Sequence, residues 1–317
     1  MVADGKEALL DLVRKVDVLI ENFAYGRMQS WGLSYEELSA INPKLVYCSL
    51  SGFGHDGPYR DMRAFDTVIQ GMSGVMSLTG TADYPPTKIG VSSADNVGAA
   101  TGTMAIVGAL HHRCRTGCGQ HINISMHDVQ GWMSSAIWAY LGTSEGPQRQ
   151  GNRHAYLAPQ NLYETADGMI VIEVETQLQL DAVIDMLNLE ACSLEDAKLR
   201  ETEFDQCLKK WAACRDTKSA LSECEHQGIP AAKVQSMEEI AESAHTWDRE
   251  MLVELEHPVS GPLKLLGSPF KSNRAPGVVL RTAPDIGQDT WTVLTELLGY
   301  DEEKLNTLSK NGVINGF

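Results

Sequence analysis

Three short apolar segments, spaced apart by helical stretches, constrain this chain more than any other feature. Val16-Asp-Val-Leu-Ile20 reads as a buried strand, and Leu45-Val-Tyr-Cys-Ser-Leu50 and His121-Ile-Asn-Ile-Ser125 read as strands. Lys6 to Lys15 carries apolar residues at helical spacing, and Ser34-Tyr-Glu-Glu37 is a capping-box signature for a short helix that stops at Asn42-Pro43. Further helices are predicted over about 66–78, from Asp95 to about Arg113, and from His127 to about Leu141. Strands that alternate with helices predict a doubly wound parallel α/β sheet.

The pattern changes near Gly151. Asn161 to Val174 reads as a β-hairpin turning on Asp167-Gly168, with helices at about 177–188, 203–213 and 217–226. Short strands follow at Ala231-Ala-Lys-Val234, Met251-Leu-Val-Glu-Leu255 and Pro262-Leu-Lys-Leu-Leu266. The expected organisation is a large α/β domain over 1–160, a smaller α+β domain over 161–272, and a C-terminal segment, 273–317, whose two helices return to the large domain.

A formal net charge of −16 argues against nucleic acid or an anionic membrane surface as the main partner, although one local basic pocket would still admit an anionic substrate. No apolar run approaches the roughly 20 residues that span a bilayer. The first residues lack a basic stretch followed by an apolar one, and the seven cysteines have no framework spacing. The expectation is a cytoplasmic protein, with the mitochondrial matrix and the peroxisome as alternatives.

Asp95 stands at the seam between a short apolar segment and a helix rich in small residues, Ser92-Ser-Ala-Asp-Asn-Val-Gly-Ala-Ala. An Asp there is a natural N-cap, and the helix dipole favours its ionised form. It is also a carboxylate that a substrate can approach. Gly52-Phe-Gly-His-Asp-Gly57 fits a dinucleotide fingerprint, but Pro58-Tyr59 and charges follow where an apolar helix is required, so a plain glycine-rich loop is expected. His111, Cys114, Cys118 and His121 have loose zinc-ligand spacing, but no second cysteine pair exists, and no metal is expected. Cys48 inside a strand reads as packing.

Val18-Leu-Ile-Glu-Asn-Phe23, Ile41-Asn-Pro-Lys-Leu-Val-Tyr-Cys-Ser-Leu-Ser-Gly-Phe-Gly54, Ala64-Phe-Asp-Thr-Val-Ile-Gln-Gly-Met-Ser-Gly74, Ala94-Asp95 and Arg115-Thr-Gly-Cys-Gly-Gln-His-Ile122 resemble the family III CoA-transferases. Gly228-Ile-Pro-Ala-Ala-Lys-Val234 and Leu297-Leu-Gly-Tyr300 extend the resemblance over almost the whole chain. It implies a Rossmann-like large domain, acyl-CoA and a free carboxylic acid as substrates, and an interlocked homodimer. Relative to the family, the chain opens without a strand–helix–strand unit, so a heteromer that supplies that unit, or a non-catalytic subunit, is an alternative.

The resemblance implies that Asp95 is the covalent nucleophile, with Asp66 an acid beside it. It places Asn22 and Phe23 along the CoA site and Arg63 near the CoA phosphates. Gly151 to Gln160, with Arg153, His154 and Tyr156, matches a segment over the acyl end; it lacks the consecutive glycines of formyl-CoA transferases, which weighs against a formyl or oxalyl substrate. The related α-methylacyl-CoA racemases carry a His where this chain has Phe65, and phenylalanine moves no proton, which favours transfer over racemisation.

Overall fold

In the computed structural model, which describes residues 3–134, 136–143 and 148–314, the three apolar segments pair as one parallel sheet. Its strands β1 (Val18–Glu21), β2 (Val46–Ser51) and β3 (Gln120–Ser125) lie in that order, with Val46 opposite both Val18 and Gln120. The middle strand is buried from Val46 to Ser49, as a parallel strand covered on both faces must be.

Alternation along β2 shows what covers each face. Tyr47 packs with Val13, Met28, Leu33 and Leu38, contributed by α1 (Ala3–Val13), α2 (Arg27–Ser30), α3 (Tyr35–Ile41) and the turn before α3. The capping box at the start of α3 forms as its sequence predicts: the Glu37 N–H donates to Ser34 Oγ and the Ser34 N–H to Glu37 Oε2. The predicted helix over 66–78 is two pieces, α4 (Asp66–Met72) and α5 (Val75–Leu78), because Gly74 between them takes a φ of 88°. On the opposite face, Cys48 and Ile124 pack with Val97, Ala105 and Ile106 of α6 (Ser93–Thr116). The last predicted helix of this region is likewise split into α7 (Met126–Met133) and α8 (Ala136–Thr143); Ser135 between them lies outside the described residues.

Two compact units result: residues 1–149 with 284–317, and residues 150–283. The sequence pattern puts the boundaries at 160 and 272. The first differs because residues 150–160 fasten to the second unit through Arg153 and Asp205, a contact 52 residues apart in the chain that no local pattern announces. At the C-terminus, a π-helical turn (Val293–Leu297) and a helix (Glu302–Lys310) bring Leu294, Tyr300, Leu305 and Leu308 against Ala8 of α1. Tyr300 adds a hydrogen bond to Asp11, 2.6 Å.

The second unit has an antiparallel sheet of β4 (Gln160–Glu164), β5 (Met169–Glu173) and β6 (Ala231–Lys233). The predicted hairpin is β4–β5. Tyr163, Ile170, Ile172 and Val174 bury against Leu180 and Val183 of α9 (Gln177–Leu187), Ala197 of α10 (Leu194–Leu199), and Phe204, Leu208 and Trp211 of α11 (Glu201–Ala213). A separate hairpin pairs Leu252–His257 with Gly261–Leu266. No helix among the described residues is long and apolar enough to cross a membrane.

Candidate active site at the carboxyl ends of the parallel strands

In an open parallel sheet the chain reverses at the carboxyl ends of the strands, and ligands bind in the crevice this creates. Asn22 and Phe23 follow β1 directly, and Gly52-Phe53-Gly54-His55 follows β2. The glycine-rich loop has positive φ at Gly54 and Gly57 and leads into turns, not a helix, so it has no nucleotide-fingerprint geometry. Gly52 does something else. A Cβ there would overlap that of Ala64, so glycine lets the segment before α4 lie directly on the end of β2.

α6 runs antiparallel to the strands: Gly102 lies beside Cys48 and Gly98 beside Leu50, so its first turn projects past the end of β2. Asp95 is in that turn, but it is not the N-cap that the sequence predicts. The helix begins two residues earlier, Ser92 holds the cap position without a side-chain bond, and Asp95 is the third helical residue. The unpaired N–H of Ala94 is taken instead by Asp66 Oδ1, 2.8 Å away, from the first residue of α4. The capping task has thus passed to a second acid. Among the described residues nothing donates to the Asp95 carboxylate, which is exposed.

Asp66 is itself held. Gln70, one turn along α4, donates to Asp66 Oδ2 at 2.7 Å and to the Val91 carbonyl at 3.2 Å, and it accepts from the Ile89 N–H at 2.8 Å. From α7, Gln130 Nε2 donates to Ser93 Oγ at 3.1 Å. Local desolvation, and then the negative charge of Asp66, hold the Asp95 carboxyl above the usual carboxylate range. The helix dipole acts in the opposite direction.

The other resemblance-derived residues of the first unit are close by in the chain and mostly exposed. The Phe23 ring meets Trp31 edge-on at 5.2 Å, and its N–H donates to buried Glu21. Asn22 and Arg63 are exposed. Phe65 is 83% exposed immediately before Asp66. Arg60, which sequence reasoning missed, lies over the Tyr25 ring at 4.9 Å and ties the loop after β2 to the turn after β1.

Beneath this surface is a ring cluster. His121 Nε2 is 3.0 Å from Ser49 Oγ, its ring stacks on Tyr35, and burial, then His55, lowers its pKa. His121 is therefore spent on packing, and among the described residues no three potential metal ligands gather.

Arg153, His154 and Tyr156 belong to the second unit. Arg153 donates through Nε and Nη2 to Asp205 Oδ2, at 3.0 and 2.5 Å. Asp205 is buried and also accepts from Asn161 and from the Tyr163 hydroxyl. His154 Nδ1 accepts the N–H groups of Tyr156 and Leu157, while Lys198 donates to the His154 carbonyl. Arg153 is an anchor here although it is partly exposed, and Tyr156 is the most exposed of the three.

Comparison with known proteins places this geometry in context. The profile of CoA-transferase family III matches residues 1–290. A succinate–glutarate CoA-transferase of Agrobacterium fabrum is 35% identical over 306 residues, covering 93% of this chain and 76% of that protein. A succinyl-CoA–D-citramalate CoA-transferase of Chloroflexus aurantiacus is 31% identical over 320 residues, covering 98% and 80%. The crystal structure of a CAIB/BAIF family protein from Brucella suis superposes with a TM-score of 0.82 at 30% identity, over 93% of this chain and 79% of that one.

Proposed function

The chain belongs to CoA-transferase family III, and we propose that it moves CoA from an acyl-CoA thioester to a free carboxylic acid through a covalent intermediate on Asp95. The observation that carries this reading is the division of labour between two acids: Asp66 caps the helix, and Asp95 in its first turn is exposed and receives no donor among the described residues.

The chemistry follows. A carboxylate oxygen of Asp95 attacks the thioester carbonyl, the C–S bond breaks, and a mixed anhydride and CoA thiolate form. The thiolate attacks the Asp95 carbonyl, releasing the first acid and leaving an aspartyl-CoA thioester. A second carboxylate attacks that thioester and expels the thiolate, which then takes the new acyl group and frees Asp95. Each step exchanges one activated acyl bond for another. No oxidant, reductant or nucleotide is consumed. Among the described residues nothing accepts from the Asp95 N–H, which leaves a first-turn donor for a developing oxyanion.

In this reading the exposed ring of Phe23 and neighbouring Asn22 receive the adenosine end of CoA, and Arg60 and Arg63 its phosphates. Within the second unit, Arg153 holds in place the segment that carries His154 and Tyr156. The names of the succinyl-CoA relatives support dicarboxylic acids as donor and acceptor. An interlocked pair of chains is part of the same proposal, and the exposed Met104 and Val107 on α6 supply apolar surface for it.

The test is peptide mass spectrometry after mixing the protein with succinyl-CoA, glutaryl-CoA and acetyl-CoA, with hydroxylamine trapping. The expected result is a hydroxamate on the peptide that contains Asp95. Turnover with modification elsewhere removes Asp95 from the mechanism.

A further inference from the structure

Two side chains stand out in the first unit because their chemistry and their burial disagree. Gln70 and Gln130 are fully buried, and glutamine is mostly a surface residue. Burying a primary amide is costly unless its groups are hydrogen-bonded. Both amides reach the same short segment, 89–94, which leads into the first turn of α6.

Gln70 comes from α4 and satisfies its amide completely. Its NH2 group bridges Asp66 Oδ2 and the Val91 carbonyl, and its oxygen receives the Ile89 N–H. Because Asp66 Oδ1 accepts from Ala94, Gln70 fixes the rotation of the carboxylate that fixes the helix start. Gln130 approaches from α7 and holds Ser93 by its hydroxyl, while its buried Oε1 has no partner among the described residues. A fold that needed only a filled core would place leucine or methionine at both positions. The incomplete bonding of Gln130 argues the same way, since an amide kept at a cost serves geometry more than stability.

We infer that Gln70 and Gln130 are positioning residues for Asp95, clamping residues 89–94 from two helices so that the nucleophile is presented in one orientation. This rests on the assignment of Asp95 as nucleophile. Neither glutamine touches the reacting atoms. Their effect is to pre-set the attack geometry, where a misplacement of about 1 Å costs on the order of 100-fold in rate. Gln70 has the larger effect because it acts through Asp66 on the N–H directly before Asp95.

The test uses Gln70→Met and Gln130→Met, which nearly conserve volume, beside Asp95→Ala and the parent protein. The readouts are kcat and KM for the CoA thioester, the rate of hydroxylamine-trapped adduct formation, and the urea midpoint. The expected result for Gln70→Met is a kcat and adduct rate at least tenfold lower with KM within threefold of the parent, and for Gln130→Met a smaller fall of the same kind. Gln70→Glu covers failure of the methionine variant to fold. It keeps the shape and the acceptor for Ile89 but removes the donor to Asp66, and it should show the same loss of kcat. Parental kcat in folded Gln70 variants, with Asp95→Ala inactive, overturns the positioning role alone. Turnover in Asp95→Ala overturns the nucleophile assignment and the positioning role with it.

Discussion

Two acidic clusters, one in each unit, use similar residues to opposite ends. Asp205 is buried and saturated: two nitrogens of Arg153, the Asn161 amide and the Tyr163 hydroxyl all donate to it. Asp95 faces another acid and receives no donor among the described residues. A carboxylate surrounded by donors is a poor nucleophile, because its lone pairs are occupied. One left bare next to a negative charge is less stable as an anion and freer to react. The number of donors aimed at an acid separates scaffold from chemistry here better than burial does.

Removing one member from each cluster separates the two roles. Asp95→Ala should lower kcat at least about 1,000-fold, as loss of a nucleophile does, while leaving the urea midpoint near the parent value, since nothing donates to it. Arg153→Ala should do the reverse. It strands the Asp205 carboxylate and should cost about 3 kcal/mol in urea unfolding, the low end for a buried pair because Arg153 is itself part-exposed. An Asp95→Ala protein that unfolds readily, or an Arg153→Ala protein of parental stability, would dissolve the distinction.

A smaller effect concerns pH. Attack requires the ionised form, so activity should be lost as pH falls through the raised pKa of Asp95. Asp66→Asn removes the second cause of that rise but leaves desolvation, the larger one. The acid limb of the kcat/KM profile should therefore move part of the way to lower pH; movement in the opposite direction would mean that Asp66 does not act on Asp95 through its charge. The smallest expected effect is none at all: with Phe65 beside Asp66 and no histidine at that position, incubation with an acyl-CoA in deuterated buffer should give no α-carbon exchange. Uptake there would reopen racemisation.

Much of the fold was legible because it is written locally. Strand β2 announces itself as an apolar run, the Ser34 capping box as a spacing, and the β4–β5 hairpin as alternation around Asp167-Gly168. Most of the misses are long-range. Asp95 looked like an N-cap because its true substitute, Asp66, is far away in the chain; the bond it makes to Ala94 spans 28 residues. Gln70 carried one visible sign, its place one turn after Asp66, where an amide and a carboxylate meet on a helix. Gln130 carried none, since its partner Ser93 lies 37 residues away. Gly74 was visible as a glycine but not as a break, which depends on the φ of 88° it adopts.

The burial of β2 on both faces also has a consequence for how the first unit breathes. Val46 to Ser49 are shielded from both sides, and their amides are locked into the ladder with β1 and β3. Such amides exchange with solvent only when the whole unit opens, whereas surface turns exchange through local fluctuations. β2 should therefore be the slowest-exchanging segment of the unit, a fixed reference against which ordering of the 52–65 loop on addition of an acyl-CoA is read amide by amide.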